Sequence, residues 1–294
     1  MEKFHPFKSQ DAKEMYLKLY NETAKLWPVH SEVKMIDTSY GKTFVRISGP
    51  VDAPPLVLLH GMGSNSLMWM QNIGTLSKGY RTYAVDDIYG NGKSIYTKSI
   101  KDSNDFVNWL DELFNVLELG NNINLMGMSY GGWQAGLYAL KFPNRLNKII
   151  LLAPAATVLP VSSAFGMRAI LSMLPVRYFT KCLLYWVMED AVKKDEKAMS
   201  ELVDAMFLAS KCFKTRRPPE PTVFDDDEWK SIEVPMLYVV GKNEKIYSAE
   251  KAVQHLNTVA PQIKTEVIPG AGHDLVSVQA EMVNEKVLKF LKNP

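Results

Sequence analysis

Residues 124–133 read NLMGMSYGGW, and this stretch decides the fold of the chain. The apolar run at residues 123–126 predicts a buried strand, and residues 130–142 predict a helix that ends before Pro143. Between them lies the pattern Gly-x-Ser-x-Gly, at residues 127–131. A bare Gly-x-Ser-x-Gly arises often by chance, but between a strand and a helix it predicts a nucleophile elbow.

The two glycines of this pattern explain how such a tight turn can form. The turn places Ser129 at a positive φ angle and crowds the residues two positions before and after it. Gly127 and Gly131 carry no Cβ atom that would collide there, so the serine hydroxyl can stand clear above the sheet. The helix that begins at Tyr130 points unpaired N–H groups at the same space. Ser129 is therefore the predicted nucleophile.

The rest of the chain alternates between strands and helices. A helix at residues 9–26 and a hairpin at residues 32–48 come first. The continuous apolar run at residues 56–59 is typical of a strand covered on both faces. The pattern that follows predicts an α/β fold with a mostly parallel central sheet flanked by helices. The expected strands are 56–59, 81–85, 122–128, 148–152, 236–240 and 265–268, and the expected helices are 66–78, 103–119, 130–142, 248–259 and 277–291.

This alternation stops at Pro154 and returns near residue 228. Between these points the pattern predicts three helices, at residues 161–174, 176–188 and 195–213. We therefore expect an α/β core formed by residues 1–153 and 228–294, with residues 154–227 as a helical cap over the carboxyl edge of the sheet. Most apolar side chains of the cap should pack as ordinary core, whereas Met167 and Trp186 are predicted to bind substrate.

A serine nucleophile needs a base, and the sequence contains five histidines. His273 lies in the loop PGAGHD, residues 269–274, directly after the last expected strand. The carboxyl ends of parallel strands meet at one edge of a sheet, so this loop should approach Ser129. His255 falls within a helix and His5 lies near the end of the chain, where both are expected at the surface. His273 is the predicted general base.

The loop after the first buried strand, LHGMG at residues 59–63, predicts an oxyanion hole. Its glycines allow the backbone N–H of Met62 to point inward beside that of Tyr130. Loss of one such donor costs about 3–4 kcal/mol of transition-state stabilisation. The side chain of His60 is expected to hydrogen-bond within its own loop, and Gly61 and Met128 are expected to contact the substrate.

The acid that orients the histidine should come between the serine and the histidine in the chain. Glu244 follows the expected strand at residues 236–240, within the sequence GKNEK, and is the predicted acid. The alternative interpretation is a solvated loop charge, which would leave a nearby aspartate as the acid. Residues 225–227 are three aspartates that are typical of a polar linker surface, and Asp190 lies within the expected cap.

The composition argues against several other functions. The net charge of +2, from 34 basic and 32 acidic residues, gives no field that would attract nucleic acid or an anionic membrane. Two cysteines are too few for a disulfide framework and favour a reducing compartment. Neither a signal peptide nor an 18-residue apolar run is present, so a cytoplasmic location is expected.

The glycines at residues 87–94, DIYGNGKS, follow neither the dinucleotide pattern nor a complete phosphate loop. We interpret this segment as a structural loop that shapes the edge of the site. Serine chemistry of this type requires no metal and no organic cofactor, and none is predicted.

Together, HGMG at residues 60–63, DxxGxGxS at 87–94, GMSYGG at 127–132 and GAGHD at 270–274 resemble the α/β-hydrolase superfamily. The expected helical cap, the set Ser129, Glu244 and His273, and the stretch YVVGKNEKIYS further resemble the bacillar carboxylesterases of the naproxen-esterase type. This resemblance implies hydrolysis of carboxylic esters, including bulky aryl-propionate esters, through an acyl-enzyme. Glutamate departs from the aspartate that is commoner in the superfamily.

Two alternatives remain open at this point. The same three residues could catalyse C–C bond, thioester, lactone or amide hydrolysis, because fold and triad do not set the substrate. A non-catalytic ligand-binding protein could also retain this fold, although a broken triad would then be expected. Haloalkane dehalogenases and epoxide hydrolases resemble this pattern but place aspartate at the elbow. The oligomeric state cannot be read from the sequence.

Overall fold

A computed structural model of the chain describes residues 1–3 and 5–293. Over these residues the strands are β1 (Glu32–Thr38), β2 (Gly41–Ser48), β3 (Pro55–Leu59), β4 (Arg81–Val85), β5 (Ile95–Tyr96), β6 (Ile123–Met128), β7 (Leu146–Leu152), β8 (Met236–Gly241) and β9 (Lys264–Ile268). They form one sheet in the order β1-β2-β4-β3-β6-β7-β8-β9, with β5 paired to β2.

The sheet is parallel from β4 to β9 and antiparallel at β1, β2 and β5. All six residues of β6 are buried, because this strand lies in the middle of the sheet with helices on both faces. The prediction of an α/β fold with a mostly parallel sheet is confirmed. Since the parallel strands point the same way, the loops after β3, β4, β6, β8 and β9 share one edge.

Helices cover both faces of the sheet. In chain order they are α1 (Gln10–Ala24), α2 (Met70–Leu76), α3 (Ser103–Val116), α4 (Tyr130–Lys141), α5 (Ser163–Ser172), α6 (Arg177–Val187), α7 (Glu189–Lys194), α8 (Glu196–Cys212), α9 (Asp226–Ser231), α10 (Ala249–Val259), α11 (Leu275–Val278) and α12 (Ala280–Lys292). One core cluster contains residues of α3, α4 and α10, and the other contains residues of α1, α2, α11 and α12.

The N-terminus of α3 shows how local sequence fixes a helix boundary. Asp102 has an extended backbone, and its side chain accepts a hydrogen bond from the N–H of Asp105 at 3.0 Å, as a helix N-cap does. Asp102 is therefore the N-cap of α3. The helix ends at Val116, earlier than predicted, because Glu118 and Gly120 adopt positive φ angles of 55° and 68°.

Helices α5 to α9 lie between β7 and β8, and we call residues 154–227 the inserted segment. The structure describes every residue of α5, and none of these residues is buried. Leu184, Met199 and Val203 of α6 and α8 form a small core cluster separate from the two that cover the sheet. The division of the chain into a core and a cap stays a prediction.

Three boundaries differ from those predicted. Residues 189–194, which lie between two of the expected helices, form the additional helix α7. The three aspartates expected on a polar linker surface are exposed, and they begin α9, where Asp225 accepts from the N–H of Glu228 at 2.8 Å in a capping box. The last expected helix is divided at Gln279 into α11 and α12. Among residues 1–3 and 5–293, no helix combines the length and the apolar character that a bilayer crossing requires.

Candidate active site

The turn between β6 and α4 has the geometry of a nucleophile elbow. Ser129 has a φ angle of 54°, as predicted, and its N–H donates to the carbonyl of Leu152 at 2.9 Å. A Cβ atom at Gly127 would lie 2.0 Å from the carbonyl oxygen of Gly131. A Cβ atom at Gly131 would lie 2.4 Å from the carbonyl oxygen of Leu59 on β3. Only glycine fits either position, because both close approaches involve backbone atoms.

Three loops bring the predicted catalytic side chains together. Ser129 follows β6, Glu244 follows β8 and His273 follows β9. The Nε2 atom of His273 lies 2.8 Å from the Ser129 Oγ, and the Nδ1 atom lies 2.8 Å from Glu244 Oε2. The tautomer with the proton on Nδ1 donates to Glu244 and accepts from the serine hydroxyl. In this tautomer His273 can take the serine proton.

The environment of Glu244 favours a fixed carboxylate. Its side chain is fully buried, and the Oε1 atom accepts the N–H groups of Lys245 and Ile246, each at 2.9 Å. The Oε2 atom is therefore the one that faces His273. These two backbone donors hold the carboxylate in one orientation. The aspartates considered as alternatives have other partners, since Asp190 accepts from the side chain of Asn243 and Asp225 caps α9.

The backbone of Gly61 lies next to the serine. A Cβ atom built on Gly61 would be 3.5 Å from the Ser129 Cβ and 4.0 Å from its Oγ. No described residue accepts a hydrogen bond from the N–H of Met62 or of Tyr130. A cavity of about 20 Å³ adjoins this loop and is lined by His60, Gly61, Met62, Gly63, Asp87, Tyr89, Gly90, Tyr130 and Pro218. These two N–H groups are the donors predicted for the oxyanion hole.

His60 holds this loop in place. Its Nδ1 atom lies 2.7 Å from the carbonyl oxygen of Gly61, and its Nε2 atom accepts the N–H of Asp87 at 3.0 Å. Both ring nitrogens are thus engaged, as the prediction of a structural His60 requires. Gln134 donates to the Asp87 carboxylate at 2.6 Å. The hydroxyl of Tyr130 donates to the carbonyl of Pro219, and burial raises its pKa well above the ordinary value, with a further contribution from Asp87.

Comparison with known proteins identifies the family in which this arrangement of residues occurs. A model of the alpha/beta hydrolase family matches residues 56–286. The chain belongs to the alpha/beta hydrolase family. This alpha/beta hydrolase is 36% identical over 282 residues to "Uncharacterized carboxylesterase nap" of Bacillus subtilis, a match that covers 94% of this chain and 91% of the relative. It is also 32% identical over 279 residues to "Carboxylesterase YbfK" of the same organism, covering 94% of this chain and 93% of that protein.

Solved structures agree with the sequence matches. The crystal structure of naproxen esterase (carboxylesterase NP) from Bacillus subtilis superposes with a TM-score of 0.89 and 35% identity, over 97% of this alpha/beta hydrolase and 100% of that chain. The crystal structure of carboxylesterase CesB (YbfK) from Bacillus subtilis gives a TM-score of 0.87 and 31% identity, over 96% of this chain and 99% of that one.

The residues predicted to bind substrate occupy different environments in this alpha/beta hydrolase. Met128 is the last residue of β6 and is buried within the core. Met167 on α5 is 59% exposed. Trp186 on α6 is half-buried, and its ring lies 4.6 Å from the guanidinium carbon of Arg168 and 5.6 Å from the ammonium nitrogen of Lys245. Trp186 thus lies beside the loop that carries Glu244, whereas Met167 is largely exposed on α5.

Two polar residues around the site were missed by sequence reasoning. Arg216 donates to the carbonyl oxygens of Tyr89 and Gly90, and so ties the inserted segment to the loop after β4. Asp274 is 1% exposed, and burial raises the pKa of its carboxyl above the ordinary value. Its position directly after His273 was the available signal. The sequence of residues 214–220 carries no comparable signal for Arg216.

Proposed function

We propose that this protein is a carboxylesterase that hydrolyses small to medium apolar or aryl esters. Membership of the alpha/beta hydrolase family and the two carboxylesterase relatives support the ester substrate class. The observation that carries the mechanism is the continuous hydrogen-bond path from Ser129 through His273 to Glu244, with both distances at 2.8 Å. A serine held in this way is a nucleophile poised for acyl transfer.

The reaction proceeds in two acyl-transfer steps. His273 takes the proton of the Ser129 hydroxyl as the oxygen attacks the ester carbonyl, and the N–H groups of Met62 and Tyr130 stabilise the resulting oxyanion. His273 then gives its proton to the departing alcohol, which leaves an acyl-enzyme. Water, activated by the same imidazole, releases the carboxylic acid and restores the serine. Glu244 keeps His273 in the required tautomer and stabilises the imidazolium.

We propose that Trp186 and Met167 contact the substrate from the inserted segment, which acts as a cap, and that Gly61 and Met128 bound the acyl site near the serine. A cytoplasmic location, with no nucleic-acid or membrane partner, stays a prediction from the composition. It is compatible with Cys182 and Cys212, which are both free thiols within the described residues.

Replacement of the nucleophile tests this function. We expect Ser129→Ala to lower kcat for a p-nitrophenyl ester by about 10⁴-fold to 10⁶-fold, with an unchanged far-UV circular dichroism spectrum. Unchanged turnover would remove Ser129 from the mechanism.

A panel of short and long acyl esters, a lactone, a thioester, an amide and a C–C substrate then identifies the reaction. The ester class should have the largest kcat/KM.

A further inference from the structure

The short helix α7 contacts both loops that carry the proposed acid and base. Its first three residues each make one of these contacts. Glu189 pairs with the ammonium of Lys245, and the Oδ2 atom of Asp190 accepts from the side-chain amide of Asn243 at 2.9 Å. The N–H of Ala191 donates to Asp274 Oδ2 at 2.6 Å. The contacted residues are the two neighbours of Glu244 and the residue that follows His273.

Among these contacts, Asp274 connects the histidine loop directly to the backbone of α7. Its Oδ1 atom accepts the N–H of Gly272 at 3.0 Å, which closes a turn around His273. Its Oδ2 atom accepts the N–H of Ala191. One side chain therefore fixes the backbone on both sides of the imidazole and attaches it to the inserted segment.

The chemistry of this position requires a carboxylate. Asp274 is 1% exposed, and an ionised group in such a place carries a desolvation cost. A carboxylate can accept from two N–H groups with its two oxygens, whereas an asparagine of the same shape presents one oxygen and one NH₂ group. An amide at position 274 would direct its NH₂ group at the N–H of either Gly272 or Ala191. The two acceptor contacts thus distinguish aspartate from its closest isostere.

We propose that Asp274 is a positioning residue that aligns His273 with Ser129 through its contact with α7. In this arrangement the docking of α7 and the alignment of the base are a single event. The inference rests on the proposed esterase function, because it concerns the histidine of that mechanism. A displacement of the imidazole by about 1 Å is enough to reduce catalysis by about 10²-fold.

Two substitutions test the two ends of this contact. Asp274→Asn alters the acceptor, and Ala191→Pro removes the N–H that α7 supplies, at the third residue of the helix, where that N–H has no acceptor within the helix. We expect both to lower kcat for p-nitrophenyl acetate by about 10-fold to 100-fold while KM changes by less than about 2-fold. The downfield ¹H NMR resonance of the His273 Nδ1 proton should shift or broaden in both variants, a change that loss of stability alone does not produce.

The matched control is Lys194→Ala on the same helix. Lys194 donates to the carbonyl of Val278 at 3.1 Å and contacts neither of the two catalytic loops, so kcat and the Nδ1 resonance should stay at the wild-type values. The proposal is overturned if Asp274→Asn and Ala191→Pro keep the wild-type kcat and resonance, or if only Asp274→Asn has an effect. If Asp274→Asn does not fold, Ala191→Pro alone decides. Ser129→Ala in the same assay separates the positioning role of Asp274 from the esterase mechanism. Turnover by that variant would contradict the mechanism, whatever the effect of the substitutions at Asp274 and Ala191.

Discussion

The nucleophile elbow and the inserted segment differ in what holds them in place. In the elbow, β6 is wholly buried and nine of the twelve residues of α4 are buried. In the inserted segment, α5 has no buried residue, and the core shared by α6 and α8 consists of Leu184, Met199 and Val203. The elbow is thus fixed by backbone close approach within the main core. The inserted segment has a small core of its own, adds residues such as Val187, Ala209 and Phe213 to the two main clusters, and makes a few polar contacts with the catalytic loops.

The largest effect that this comparison predicts is at the elbow. Gly127→Ala would place a Cβ atom 2.0 Å from the carbonyl oxygen of Gly131, so the backbone of β6 or of α4 would have to shift. We expect the free energy of unfolding, measured by urea denaturation, to fall by about 4 kcal/mol or more. The matched control is Gly74→Ala in α2, where no neighbouring group lies within 4 Å of the new Cβ. Because alanine has the higher helix propensity, the free energy of unfolding of this variant should rise by up to about 1 kcal/mol. Equal stabilities for the two variants would contradict this account of the elbow.

The next largest effect concerns the acid. In Glu244→Gln the side-chain oxygen should stay with the N–H groups of Lys245 and Ile246, which directs the new NH₂ group at His273 Nδ1. The imidazole then carries its proton on Nε2 and cannot accept one from Ser129. We expect kcat to fall by about 10³-fold to 10⁴-fold with little change in stability, measured by ester turnover and urea denaturation. A kcat within a few-fold of wild type would show that Glu244 is not the acid.

A smaller effect is expected where the inserted segment faces the site. Trp186→Ala should raise KM for an aryl ester by about tenfold with little change in kcat, because an aromatic contact contributes to substrate binding throughout the reaction. Met167→Ala is the comparison, and its effect on KM should be smaller because that side chain is 59% exposed. Steady-state kinetics on both variants gives the ratio of their KM values for the aryl ester. A larger effect at Met167 would mean that α5, and not α6, lines the substrate site.

The smallest effect is electrostatic. Hydrogen bonds and charge interactions with Lys193 and Lys245 lower the pKa of Glu189 to about 2 in the folded protein. At every pH at which this carboxylate is ionised in the unfolded chain, it is therefore also ionised in the folded protein. Because the folded-state pKa is depressed, this stabilisation is present above about pH 4.5 and is lost as the pH falls towards about 2. Glu189→Gln should lower the urea midpoint slightly at pH 7, since the pair is solvent-exposed. The difference in urea midpoint between Glu189→Gln and the wild type should disappear at low pH. A difference that stays constant with pH would contradict the pairing of Glu189 with the two lysines.

The difference between the two regions also explains what could be predicted from the sequence. The fold class followed from the elbow pattern and from the alternation of strands and helices, which includes the strand predicted at residues 81–85 with the boundaries of β4. The proximity of Ser129, Glu244 and His273 followed because loops after parallel strands share one edge of the sheet. In these cases the local pattern and the global fold impose the same constraint.

The contacts of the inserted segment could not be predicted in this way. Residues 189–194, EDAVKK, are short and polar, and nothing in that pattern shows that they dock on the loops of Glu244 and His273. The partner of Asp274 is set by tertiary packing of residues 83 positions apart in the chain. The break of the last helix at Gln279 likewise lacks a proline or glycine that would mark it.

The measurement that tests the central claim most directly is covalent labelling of the serine. The protein is treated with a fluorophosphonate, digested, and mapped by mass spectrometry, with His273→Ala as the control for activation by the base. The mechanism predicts one phosphonyl adduct, on Ser129, formed in step with the loss of ester turnover and at a greatly reduced rate in His273→Ala. An adduct on another residue, or complete loss of turnover with Ser129 unmodified, would contradict it.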